Sequence, residues 1–257
     1  VSSKPVLESK DIKLEYQIML PKPELSDFVE RFYMIRNNAI TNKEIVLIPD
    51  GNIDIFFTTE SADFAGTLIG LETQPTTAFF PPKCSFIGVS LKLLSIEYIL
   101  HRSIADILNS SINLPTKFWD ISPNDLTNFD SFCTKISKKI HENIQPEIDE
   151  RKQKLLKLVY ETKGSLLVKE YAQKVFWPER QINRYFNQTF GLSLKSFCTI
   201  LRFKASFQHL KNGILYPEQD FSDQAHFIKE VKKLTKVTPK ELAKNKNDRF
   251  LQFSTMP

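Results

Sequence analysis

Arg180, Gln181, Asn183, Arg184 and Asn187 stand together in the run Pro178-Glu179-Arg180-Gln181-Ile182-Asn183-Arg184-Tyr185-Phe186-Asn187. These side-chain types can read nucleobase edges: a guanidinium pairs with guanine O6 and N7, and a carboxamide pairs with adenine. Ile182, Phe186 and Phe190 recur every fourth residue, so a helix here packs by that face. At 100° per residue it turns Arg180, Asn183, Arg184 and Asn187 outward and leaves Gln181 at the margin. The pattern returns 45 residues later, where Phe227 aligns with Ile182, Lys229 with Arg184 and Val231 with Phe186. The second outward set is poorer in base-reading groups. Ala225 and Ile228 offer only apolar contact, Gln224 precedes them, and Lys229, Lys232 and Lys233 suit phosphate better than bases.

Other residues able to do chemistry are weaker prospects. Asp50 and Asp54 form the best acid pair, yet a turn-former and a strand-edge acid explain them equally well. His226 lacks a second ligand at metal spacing and reads as packing or local capping, and His101 and His141 are equally alone. No glycine-rich phosphate loop, nucleophile elbow or paired-cysteine motif is present. Trp177 and Tyr185 read as core. The chain is therefore expected to be no enzyme and to need no cofactor or metal.

The charge is divided along the chain. Residues 151–257 hold 21 Lys and Arg against 9 Asp and Glu, a net of +12, while residues 1–150 hold 14 against 21, a net of −7. A basic third beside an acidic remainder is the footprint of a nucleic-acid module joined to another unit. Two domains fit 257 residues, 1–147 and 148–257, with the boundary at Gln145-Pro146-Glu147-Ile148-Asp149-Glu150. Cys84, Cys133 and Cys198 suit neither a disulfide framework nor zinc, so a reducing cytoplasm is the expected setting. No apolar run approaches the roughly 18 residues of a membrane span, and Val1-Ser2-Ser3-Lys4 does not open an export signal.

Elements must position these residues. From about residue 12 to 91, β-branched and aromatic residues punctuated by Pro and Gly predict strands at 13–19, 29–36, 44–49, 52–58, 66–70, 76–80 and 85–91, enough for a small barrel or sandwich. Short helices follow, then a longer one over 123–143. In the last third, one helix stops at Gly164, Ser165 is a suitable cap for a helix over 166–174, and Pro178 and Gly191 bound the first reading helix. Ser193 opens a helix reaching about Lys211, and its roughly 19 residues would span about 28 Å. The fold class expected is α+β: a β-rich N-terminal domain with a helical tail, then an all-α domain.

These residues resemble the AraC/XylS family of bacterial transcription regulators, over about residues 152–243. The resemblance is carried by Ile182-Asn183-Arg184-Tyr185-Phe186 leading to Phe190-Gly191-Leu192-Ser193, by Leu201-Arg202-Phe203 with Ala205, and by Phe221-Ser222-Asp223-Gln224-Ala225-His226-Phe227 leading to Leu234-Thr235 and Thr238-Pro239. It implies two helix-turn-helix units joined by a long helix, with base-reading positions at Arg180, Asn183 and Arg184. Ile48-Pro49-Asp50-Gly51-Asn52-Ile53-Asp54 and Gly88-Val89-Ser90-Leu91 resemble a β-rich module of undefined function fused to some of these regulators.

Three departures weaken the second unit or mark the first. The chain is about four residues shorter between Arg202 and Phe221, with Pro217 inside, so the second unit's first helix should be short or absent. Phe176 stands in a turn where a small residue is common, and Lys236 replaces a closing glycine at a cost of about 1 kcal/mol in a left-handed conformation. The expected function is sequence-specific regulation of transcription, read mainly by the helix at 178–190 and anchored on phosphate by that at 222–235. Double-stranded DNA is the expected partner. The reading leaves room for a small-molecule effector in the N-terminal domain, for a homodimer and for contact with RNA polymerase, and it involves no membrane. The rivals are a helical interaction protein without specific DNA readout and an enzyme-like barrel targeted to DNA.

Overall fold

The computed structural model describes residues 14–58, 66–215 and 224–255. The expected shortening of the second unit falls partly on 216–219 and the Phe221-Ser222-Asp223 string wholly outside these residues. The strands are β1 (Glu15–Met19), β2 (Val29–Arg36), β3 (Lys43–Leu47), β4 (Ile53–Thr58), β5 (Gly66–Ile69), β6 (Thr76–Phe80) and β7 (Ser85–Leu91), all where the β-branched and aromatic runs predict them. After helix α1 (Leu94–Tyr98) an unforeseen β8 (Ser111–Asn113) joins the edge of the sheet.

Six strands form one antiparallel sheet in the order β1-β2-β7-β4-β5-β8, and β3 pairs with β6 as a separate ribbon. Of the expected barrel or sandwich, no barrel closes: β3 and β6 pair with each other, and among the described residues β1 and β8 are open edges of the sheet. Alternation sorts the two faces. Ile53, Ile55 and Phe57 of β4 point to the helical side, where α2 (Phe129–Asn143) brings Phe132, Ile136 and Ile140. The next residues along β4, Asp54 and Phe56, face the opposite side, toward the ribbon.

The helical part comprises α3 (Glu150–Glu161), α4 (Val168–Val175), α5 (Glu179–Phe190), α6 (Leu194–Ala205), α7 (Phe207–Lys211), α8 (Gln224–Thr235), α9 (Pro239–Lys244) and α10 (Leu251–Thr255). Three helix expectations need correction, each because a polar side chain competes for backbone groups. The helix over 123–143 is a 3-10 turn and then α2, because Asn128 is extended and its side chain accepts from Ser131 N at 2.9 Å. Ser165 does not cap α4. Its N–H closes the end of α3 on Thr162 O, and α4 is entered at Leu167, whose N–H donates to Glu170 Oε2 at 2.7 Å. The long helix breaks at Ser206, whose hydroxyl donates to Phe203 O at 2.6 Å, so α6 has 12 residues and spans about 18 Å.

The two halves share one hydrophobic core. Gly51, at φ +76°, lies under α6, and a Cβ there would stand 3.1 Å from Leu201 and 3.2 Å from Phe197. At the other end of the chain, Arg249 O accepts from Val46 N at 2.7 Å and Gln252 Oε1 accepts from Ile48 N at 2.8 Å, tying α10 to the ribbon.

Candidate nucleic-acid interface

The first unit is built by α4 and α5. Phe176 ends α4 in the left-handed region at φ 52° and is 92% exposed, which is how a large side chain is tolerated in this turn. Trp177 and Tyr185 are buried, their rings 5.4 Å apart. On the inner face of α5, Ile182, Phe186 and Phe190 are fully buried, and Phe186 meets Phe197 of α6 at 6.0 Å. Gly191 closes α5 at φ +79°, and Ser193 caps α6 by accepting from Ser196 N.

The outer face carries the expected set. Arg180, Gln181, Arg184 and Asn187 are exposed and Asn183 is half-buried. Arg180 and Arg184 form no ion pair among the described residues, so both guanidiniums are open to an outside anion or base. Gln181 Oε1 accepts from Trp177 Nε1 at 2.9 Å, which orients its amide. Asn187 folds back, donating from Nδ2 to Asn183 O at 2.8 Å. That bond withdraws one donor from the far end of the outward row.

In the second unit, α8 buries Phe227, Val231 and Leu234 and packs on α6 and α9. Gln224, Ala225, Lys229, Lys232 and Lys233 are exposed and Ile228 is half-buried. His226 Nε2 lies 3.9 Å from Glu230 Oε1, a local contact along the helix. Lys236 adopts the left-handed conformation at φ 62° that a glycine would adopt without strain. Thr238 opens α9 with a reciprocal cap to Glu241.

The C-terminal end of α5 is fastened to the N-terminal half. Ser103 Oγ donates to Gln188 O at 2.8 Å and Thr189 O at 3.0 Å, and Ile104 N donates to Thr189 O at 2.9 Å. Tyr185 OH donates to Glu97 Oε2 at 2.6 Å, and Lys152 Nζ donates to Glu97 Oε1 at 2.7 Å. Burial and the Glu97 charge push the Tyr185 phenol far above its usual range. No local pattern marks Glu97 or Ser103, since both act across more than 80 residues.

The acid pair of the N-terminal half lies elsewhere, on the ribbon side of the sheet. Asp50 accepts from Asn52 N at 3.0 Å and Nδ2 at 2.8 Å, and its Oδ2 lies 3.8 Å from Arg31. Asp54 is not a strand-edge acid: β4 runs between β7 and β5, and the carboxyl points inward and accepts from Ser90 Oγ at 2.6 Å. Among the described residues, no three His, Cys, Asp or Glu side chains gather to hold a metal ion, and no helix is long and apolar enough to cross a membrane.

Residues 17–113 match the family model described as a domain of unknown function, DUF6597. No curated protein matches the chain. Among solved structures it is similar to ToxT from Vibrio cholerae. The form bound to (E)-4-(8-methylnaphthalen-1-yl)but-3-enoic acid has a TM-score of 0.45 and 12% identity, covering 90% of this chain and 98% of that one. A P21 crystal form gives 0.43 and 13%, covering 90% and 98%, and the form bound to an unsaturated fatty acid gives 0.40 and 13%, covering 90% and 95%.

Proposed function

We propose that the chain is a sequence-specific DNA-binding regulator of transcription, with residues 1–147 as a sensing or oligomerising domain and 148–257 as the DNA-binding domain. The observation that carries this reading is the division of α5. Its apolar face is locked into the core, while Arg180, Gln181 and Arg184 at its N-terminal end are exposed and the two arginines lack ion partners among the described residues. A rigid helix offering unspent guanidiniums from its leading turns suits insertion into a major groove.

The net +12 of the C-terminal part supplies sequence-independent capture of the duplex. Lys229, Lys232 and Lys233 on α8 then hold phosphates rather than bases. Control by the N-terminal half would pass through the contacts that fasten α5 and α6 to it: Glu97 with Tyr185, Ser103 with the end of α5, and Gly51 under α6. A small-molecule effector in that half is part of the same reading. Enrichment of genomic fragments on the purified full chain tests it. Recovery of a common motif is expected; retention of all fragments alike, lost with rising salt, would favour a helical protein without specific readout.

A further inference from the structure

The ribbon of β3 and β6 stands off the sheet and encloses a cavity of about 210 Å³, closed from the side by α10 through Leu251, Gln252 and Thr255. Gly88 helps to shape it, since a Cβ there would come within 2.9 Å of the Tyr33 ring and hydroxyl. Most of the wall is hydrocarbon: Ile35, Ile45, Leu47, Phe56, Phe80 and Phe86. One part is acidic, with Asp50, Asp54 and Glu72 and, among the described lining residues, a single cation, Arg31.

The charges in that part do not cancel. Arg31 is matched with Asp50, which also takes two hydrogen bonds from Asn52. Asp54 and Glu72 are left to neutral donors, Ser90 for the first and Thr76 for the second. Burial, and then the neighbouring Asp50, raises Asp54 to about 6, against smaller opposing effects of Ser90, Arg31 and Lys204 on α6. Burial raises Glu72 to about 7, opposed by Thr76 and reinforced by Asp50 and Asp54. Tyr33, half-buried beside Asp54, stays a neutral phenol, because desolvation and the Asp54 charge push its hydroxyl well above the usual range. Arg31 is only 12% exposed, and its Nε is buried without a hydrogen-bond partner among the described residues, so this wall keeps one unused N–H donor beside its excess of negative charge.

We infer that this cavity binds a small organic cation, an amine on an apolar aryl or alkyl body. Its ammonium faces Asp54 and Glu72 and its hydrocarbon lies against Phe56, Phe80 and the ribbon. An anionic head is disfavoured because the lining sets Asp50, Asp54 and Glu72 against Arg31, whose charge Asp50 already meets at 3.8 Å. The inference deepens the proposed function by giving the chemical class of the effector, and it rests on that reading only for its regulatory consequence. An occupant would touch α10 directly, and would touch Asp50 and Asn52 on either side of Gly51, the residue that lies under α6.

Isothermal titration of the full chain without DNA tests this, using phenylbutylamine, phenylbutanol and phenylbutyrate as probes of one shape and three charges. The amine should bind at least tenfold more tightly than either analogue, and Glu72→Gln should reduce that advantage at least tenfold. With the wild-type chain alone, amine binding near pH 6.5 should release protons, seen as a dependence of the heat on buffer ionisation, and should weaken below pH 5 as both carboxyls become neutral. Tighter binding of phenylbutyrate, no binding of the amine at millimolar concentration, or an amine affinity indifferent to both pH and Glu72→Gln would overturn the inference. Because no DNA is present, these outcomes are independent of whether the chain reads a DNA sequence.

Discussion

Tyr185 on α5 donates a 2.6 Å hydrogen bond to Glu97 on α1, joining the helix that bears Arg180 and Arg184 to the opposite half of the molecule. Lys152 holds the second oxygen of the same carboxylate and lies 4.8 Å from the centroid of the Tyr185 ring. Glu97 is thus shared between α3 and α5. Tyr185→Phe keeps the ring and removes the hydroxyl, so it should lower stability by about 1–2 kcal/mol, as expected for a bond to a half-buried carboxylate. Urea unfolding followed by circular dichroism measures this, and an unchanged midpoint would mean that the contact does not fasten α5.

The cavity carboxyls predict an unusual pH profile. A carboxyl raised in the folded state binds a proton that the unfolded chain releases, so its stabilising contribution is fully present below the unfolded value near 4. It is lost as pH climbs through about 6 for Asp54 and about 7 for Glu72. The ligand-free chain should therefore lose stability between about pH 4 and 7 relative to Asp54→Asn/Glu72→Gln, which should melt higher than wild type at pH 8 and close to it at about pH 4. Thermal melts across this range decide the matter; parallel profiles would contradict the raised values.

The two reading helices are expected to contribute unequally. Lys229 and Lys233 are exposed on α8, whereas Ala225 and Ile228 occupy the positions equivalent to Arg180 and Asn183. Replacing both lysines with Ala should weaken binding to all duplexes together and flatten the dependence of log K on log salt by about one to two, since each phosphate contact contributes about 0.9. A change in base preference would instead make α8 a reader of sequence.

Local pattern announced much of this architecture. Runs of β-branched and aromatic residues between Pro and Gly located seven strands, and the cap residues Gly191 and Ser193 hold the places their chemistry demands. β8 escaped notice because three residues, Ser111–Asn113, carry no periodic signal and are strand only by pairing with β5. Sheet order was also beyond reach: β2 lies beside β7, some 50 residues away, and that nonlocal pairing leaves β4 central and turns Asp54 from an edge acid into a cavity acid. Helix breaks at Asn128 and Ser206 were missed because apolar periodicity continues across both, while the side chains compete for backbone groups there. The outward row on α5 was legible because it depends on one helix and its period. The contacts fastening that helix, Glu97 and Ser103, depend on tertiary packing.

The central claim is that α5 reads bases, and Arg184 tests it most directly. Full-length wild type and Arg184→Ala should be compared on the duplex recovered by enrichment and on a scrambled duplex of equal length at the same salt concentration. The substitution should weaken binding to the recovered duplex by about 1–3 kcal/mol, relax selection at one or two base pairs, and leave binding to the scrambled duplex nearly unaffected. Equal losses on both duplexes would make Arg184 a phosphate contact and contradict the assignment of α5 as the reader.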